Sequence, residues 1–350
     1  MSGQICEAKV KRRFDIPFSL SASYRGHTQG ALYVLDSGMI RQYNESGVLR
    51  KTLKLSGRQE FICSPQGLFY VLIELDTTAS GVRPFTHYNV YHQELYQGEL
   101  PPDARLFLGD RGRHLSVVPT RSGRVELFMY DSLGEQTGES YAPTCDTVVF
   151  APGGRGVLVG ARDKGLHYFY FSGEKIATYA QADLFTFSRS GRKVITAKQN
   201  VIMIYNRDKI ATSFRLPKSG VRRLIYLDSK GIVYALTKTR LYQVNSTNGV
   251  VQLDYPVIGE GRTFTDLGYS PASDLLIVSI LVSKGSTVAV ERRALQNAIR
   301  VLTPDGIEQP FYYVRTEAFR KGFPRVQMGS SGLAALFIAS DQIHRVGWEE

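Results

Sequence analysis

The chain has 350 residues, 43% of them hydrophobic, with 20 Tyr, 18 Phe, a single Trp and a formal charge of +11. That composition excludes a disordered or collagen-like chain and suits one rich in packed strands. The three cysteines, Cys6, Cys63 and Cys145, are too scattered for a disulfide framework or a zinc site and read as idle thiols in a reducing compartment.

In chain order, residues 1–13 hold no apolar core of secretory type. The longest apolar runs, Leu275–Val282 and Leu333–Ala339, are strand-sized and too short to span a bilayer. The reading is therefore a soluble, intracellular (cytoplasmic) chain with no transmembrane segment. Residues 8–15, Ala-Lys-Val-Lys-Arg-Arg-Phe-Asp, alternate in strand fashion.

From residue 20 onward, a short apolar stretch repeatedly runs into a small turn and a second apolar stretch follows at once. Leu20–Val34 is the loosest copy, and Phe61–Leu72, with Ser64-Pro-Gln-Gly67 at its turn, is the first regular one. Further copies lie at Leu106–Val117, Val148–Val159, Phe185–Ile195, Leu224–Tyr234, Leu267–Val278 and Val326–Phe337. Each is followed by a third stretch, a tight turn and a fourth. The later turns are Asn44–Gly47, Asp131–Gly134, Ser172–Lys175, Asn206–Lys209, Asn245–Gly249 and Thr303–Gly306. Their Asn, Asp and Gly residues tolerate the positive φ that hairpins demand. Lys175-Ile-Ala-Thr178 and Lys209-Ile-Ala-Thr212 are the same word in adjacent units, as internal duplication leaves behind.

A period of roughly 40–45 residues with several strands per unit is the signature of a β-propeller. The expected fold is all-β, one domain over 1–350 with eight four-stranded blades. The expected units are 18–57, 58–100, 101–142, 143–180, 181–217, 218–258, 259–317 and 318–350. The last unit holds only three strands, so residues 8–15 are expected to supply its fourth and close the ring. The count falls to seven if the irregular first or seventh unit is not a full blade. Ser-Pro-x-Gly followed by an apolar run resembles the blade repeat of the WD40, YVTN and TolB-like propellers. The Trp-Asp dipeptide of WD40 repeats is absent, and the resemblance carries over no functional residue.

Two connections are long: Leu75–Thr86 in the second unit and 283–297 in the seventh, where 288–298 could form a short helix. The repeat also sorts the charge. Loops between second and third strands, and between units, emerge at one face, the top. Those loops carry about 20 basic against about 10 acidic side chains, whereas the opposite loops come out about even. The candidate partner-binding residues are Arg83, Arg121, Arg162, Lys164, Lys198, Arg222, Arg223, Lys238, Arg240, Arg292 and Arg293. Such a face would attract an acidic protein surface, with nucleic acid or anionic lipid headgroups as alternatives.

The sequence gives no P-loop, dinucleotide fingerprint, GxSxG elbow or paired-histidine motif. Carboxylates at the starts of innermost strands, Asp146, Asp183 and Asp266, form an alternative cation site or pair locally with Arg222 and Arg223. The sequence thus favours a non-enzymatic interaction platform or assembly subunit, with no cofactor expected. The competing class is a propeller hydrolase, lyase or dehydrogenase with a cation or cofactor at the channel.

Overall fold

A computed structural model describes residues 23–27, 31–36, 38–44, 48–56, 58–65, 67–109, 111–161, 163–257, 261–270, 274–282, 296–303, 312–315, 325–328, 334–339 and 342–347. Every described sheet is an antiparallel meander in chain order. The first contains β1 (Ser23–His27), β2 (Ala31–Asp36), β3 (Met39–Tyr43) and β4 (Leu49–Lys54). The second contains β5 (Gln59–Cys63), β6 (Phe69–Glu74), β7 (Arg83–Asn89) and β8 (Glu94–Leu100). The third is β9 (Arg105–Leu108), β10 (His114–Pro119), β11 (Val125–Tyr130) and β12 (Gln136–Ala142). The fourth follows with β13 (Thr147–Phe150), β14 (Gly156–Ala161), β15 (Gly165–Tyr170) and β16 (Lys175–Tyr179).

The fifth is built from β17 (Leu184–Phe187), β18 (Lys193–Lys198), β19 (Val201–Asn206) and β20 (Lys209–Arg215). The sixth holds β21 (Arg223–Leu227), β22 (Ile232–Leu236), β23 (Arg240–Asn245) and β24 (Val251–Pro256). In the seventh are β25 (Arg262–Ser270), β26 (Leu275–Val282), β27 (Gln296–Leu302) and β28 (Tyr312–Arg315). A last sheet has three described strands, β29 (Arg325–Met328), β30 (Ala334–Ala339) and β31 (Gln342–Gly347). Residues 8–15, the expected closing strand, lie outside the described residues.

The fold follows from where each strand can hide its side chains. Second strands are sandwiched between neighbouring sheets, so β14 is buried at every position. Fourth strands face outward, and β4 is exposed at all but one. Third strands alternate, as β11 does, which is the period-two signature of a half-buried strand. The apolar core is accordingly divided among the sheet-to-sheet interfaces. Tyr33, Ile40, Phe61 and Tyr70 fill the first, and Val71, Ile73, Leu106 and Leu108 the second. Leu115, Leu127, Val157 and Phe169 join the third sheet to the fourth, and Leu158, Leu166, Tyr179 and Val194 the fourth to the fifth. Ile195, Ile202, Val233 and Val244 lie between the fifth and sixth, and Leu236, Phe264, Leu276 and Val278 between the sixth and seventh.

The turns behave as their residues require. Gly67, Gly112, Gly154, Gly191 and Gly231, each closing a first-to-second turn, have φ between +63° and +74°, where only glycine pays no steric penalty. In the seventh sheet Asp274 takes that place at φ +52°. At the third-to-fourth turns the side chains of Asn89 and Asp131 accept backbone N–H bonds two and four residues on, which is the Asx-turn mechanism. A register shift recurs near the end of the third strand in six sheets.

Two local expectations are corrected. The connection expected over Leu75–Thr86 ends at Val82, because Arg83–Thr86 pair with Gln97–Leu100 in β7 and β8. The helix expected over 288–298 does not reach its end, since Gln296–Ala298 pair with Tyr313–Arg315 in β27 and β28. The rest of that segment lies outside the described residues.

Candidate functional site

In an antiparallel meander the second-to-third connections and the sheet-to-sheet connections leave from one end, and the hairpin turns leave from the other. The backbone confirms that register at the top. The N–H groups of Asp146, Asp183 and Arg222 donate to the carbonyls of Gly160, Ala197 and Leu236, one equivalent bond in three successive sheets.

Several of the sequence-selected cations turn inward at this end and clip one sheet to the next. Arg83 donates to the carbonyl of Ala104, and Arg222 Nη1 lies 3.4 Å from that of Phe264. Arg223 Nε bonds Asp266 Oδ1 at 2.5 Å. Arg240 instead pairs along its own sheet with Asp254 at 3.0 Å. Arg105, which the sequence reading did not select, makes the same kind of clip to the carbonyl of Cys145. Its signal was available, since it opens a first strand as Arg223 does.

A second group stays open. Lys164, Lys218 and Lys238 are exposed and make no side-chain ion pair or hydrogen bond among the described residues; Arg121, in the third sheet, is equally open. Lys198 is exposed and donates only to the amide oxygen of Gln181, at 3.2 Å. Hydrogen bonds tie most of these loops into one arc. Gln181 reaches the carbonyl of Asp163, and Gly220 N–H donates to Gln199 O at 3.3 Å. Phe264 N–H donates to Lys238 O at 2.9 Å, and the Phe264 carbonyl accepts from Arg222. Lys164, Lys198, Lys218, Arg222 and Lys238 thus follow one another over the fourth to the sixth sheets. Arg162, Arg292 and Arg293 lie outside the described residues.

The three carboxylates selected from the sequence do not share one environment. Asp146 and Asp183 are exposed, and Asp183 Oδ2 accepts the Gln199 N–H at 2.6 Å. Asp266 is buried against Arg223, inside β25 beyond a register shift after Phe264. Among the described residues no three His, Cys, Asp or Glu side chains converge to hold a metal ion.

Sequence reasoning missed a buried imidazole pair between the second and third sheets. His87 is 0% exposed, and neither of its ring nitrogens has a hydrogen-bond partner among the described residues. His114 is 1% exposed, stacks on Tyr130 at 4.5 Å and places Nδ1 2.8 Å from the Tyr96 hydroxyl. Burial lowers His87 to about 4. Burial, and then the neighbouring His87, lower His114 to about 3. Both are therefore neutral at ordinary pH and suited to packing rather than proton transfer. Cys145 is buried, and its thiol is pushed up to about 11, which leaves it inert.

No protein-family model matches the sequence, and no curated protein matches it. Solved structures do match in fold. BamB from Moraxella catarrhalis superimposes with a TM-score of 0.58 at 13% identity, covering 97% of this chain and 100% of that one. The C-terminal WD40 domain of Sif2 gives 0.64 at 9% identity, covering 99% and 100%. Hsv2 of Kluyvelomyces marxianus gives 0.54 at 11% identity, covering 81% and 90%. With the meandering sheets, these likenesses give the chain the β-propeller fold. No helix among the described residues is long and apolar enough to cross a membrane.

Proposed function

We propose that this propeller is a non-enzymatic binding platform whose top face receives an acidic protein surface. The observation that carries the reading is the separation of its cations into two groups. Arg83, Arg223 and Arg240 have intrachain acceptors, whereas Lys164, Lys198, Lys218 and Lys238 follow one another along an arc without a carboxylate partner among the described residues. Unpaired cations on a rigid scaffold steer and orient an anionic partner. Lysine ammoniums are flexible point charges, suited to a broad anionic surface rather than to one fixed anion geometry. The top loops show no obvious aromatic ladder on which single-stranded bases would stack.

The test is a Lys198→Glu/Lys218→Glu/Lys238→Glu variant, which leaves the interior clips intact. A glutamate-rich peptide, a single-stranded oligonucleotide and phosphatidylserine vesicles serve as probes at low and high salt. Expected is salt-sensitive peptide binding that weakens about tenfold or more in the variant. Peptide binding unaffected by the three reversals would defeat the reading. Tighter binding of the oligonucleotide or the vesicles than of the peptide would replace the protein partner by that class.

A further inference from the structure

We propose that the opposite mouth of the channel, at the fifth to seventh sheets, binds a small carboxylate carrying an apolar body, with Arg189 as its anion contact. This site stands independently of the top face. A cavity of about 190 Å3 opens there, lined among others by Phe187, Arg189, Leu224, Tyr226, Leu227 and Tyr269. These residues come from β17, β21, β25 and the turn after β17, and first strands of a propeller surround its central channel.

Arg189 is held at both ends. Its backbone N–H donates to the Tyr226 carbonyl at 3.2 Å, which fixes its Cα against the sixth sheet. Its guanidinium carbon lies 5.9 Å from the centre of the Tyr269 ring in the seventh, a cation–π distance. The surrounding polar groups are already engaged. Asp228 accepts from Ser190, and Asp274 accepts from Lys230 at 2.6 Å and from Tyr269 at 2.7 Å. Lys193 donates to the Tyr226 hydroxyl at 3.1 Å. The Arg189 guanidinium itself has no hydrogen bond or ion pair among the described residues.

The geometry therefore offers a pre-positioned planar donor at the edge of a mixed polar and apolar recess whose walls include Phe187, Leu224, Leu227 and Tyr269. A guanidinium fork matches a carboxylate by two parallel hydrogen bonds. The recess is open to solvent, so it would cover only part of a small apolar body behind the charge. The same chemistry could be presented by a free small acid or by the terminal residue of a peptide.

Phenylacetate is the probe, with phenethyl alcohol as its uncharged counterpart and titration calorimetry of the full chain as the readout. Phenylacetate should bind saturably at millimolar concentration, and the alcohol about tenfold more weakly or not at all, the loss expected when bonds to a charged group are removed. Arg189→Gln should abolish the preference for the acid, and Arg189→Lys should keep part of it, with the melting temperature of each variant near that of the parent. Competition by Gly-Gly-Phe but not by its C-terminal amide would assign the site to peptide termini. Failure of that peptide to compete would assign it to free acids. Absence of phenylacetate binding at millimolar concentration, or equal binding of acid and alcohol, would overturn the proposal, as would binding that survives Arg189→Gln.

Discussion

The buried imidazoles should make this protein labile to mild acid, and the size of the effect follows from their surroundings. His87 and His114 are 0% and 1% exposed, and no carboxylate hydrogen-bonds to either ring among the described residues. Their folded values lie at about 4 and about 3, below the 6.5 of a free imidazole. The folded state therefore refuses protons that the unfolded chain accepts. Stability is complete above the unfolded value and is lost as pH falls from there toward the folded values. One pKa unit corresponds to about 1.4 kcal/mol, so each ring loses about 2 kcal/mol between about pH 6.5 and about pH 5. Together they account for about 4 kcal/mol, a large share of the ~5–15 kcal/mol that holds a domain folded. Urea unfolding at about pH 7.5, 6 and 5 reads this directly, with His87→Phe/His114→Phe as the comparison. Phenylalanine preserves the ring packing against Tyr96 and Tyr130 and cannot take up the proton. The variant should show a pH slope shallower by about 4 kcal/mol over that range. If parent and variant lose stability in parallel, the burial argument is wrong.

Two further substitutions probe the packing between sheets. A methyl group on Gly138 would sit 2.2 Å from the backbone carbon of Ser172 in the next sheet, so Gly138→Ala should cost about 2 kcal/mol or more by overpacking, measured as a lower urea midpoint. Arg223→Ala leaves the buried Asp266 without its guanidinium partner at 2.5 Å. Because Arg223 is itself 43% exposed, the expected loss is moderated to about 1–2 kcal/mol. Adding Asp266→Asn should recover part of that loss in a double-mutant cycle, and strict additivity would contradict a direct pairing.

The strands and turns were legible because each is fixed by neighbours in sequence. Gly67, Gly154 and Gly191 close their turns at positive φ, and Asp131 folds its own hairpin through local hydrogen bonds. Both signals are short-range and survive in a single sequence. The site was less legible because it depends on contacts between sheets. His87 and His114 meet only when β7 packs on β10. Arg83, Arg105 and Arg223 look like any loop cation until a carbonyl or carboxylate of the following sheet is brought to them. Of the cations that charge counting assigned to the top loops, Arg83, Arg222 and Arg223 bond to the following sheet.

The inter-sheet contacts also explain why the two mouths differ chemically. On the opposite side, turns of adjacent sheets are tied side chain to side chain: Lys230 neutralises Asp274, and Ser190 donates a hydrogen bond to Asp228. That leaves Arg189 as a single ordered donor over an aromatic ring, an arrangement selective for one small anion. At the upper end the ties run mostly from arginine side chains to backbone carbonyls, which consume donors without neutralising charge. A guanidinium bonded to a carbonyl keeps its positive field, and the open lysines of the arc add to it. On the proposed reading, the upper end serves a broad, salt-sensitive attraction and the lower a compact ligand. Charge reversal on the arc should leave phenylacetate binding unchanged, and Arg189→Gln should leave capture of the acidic peptide unchanged.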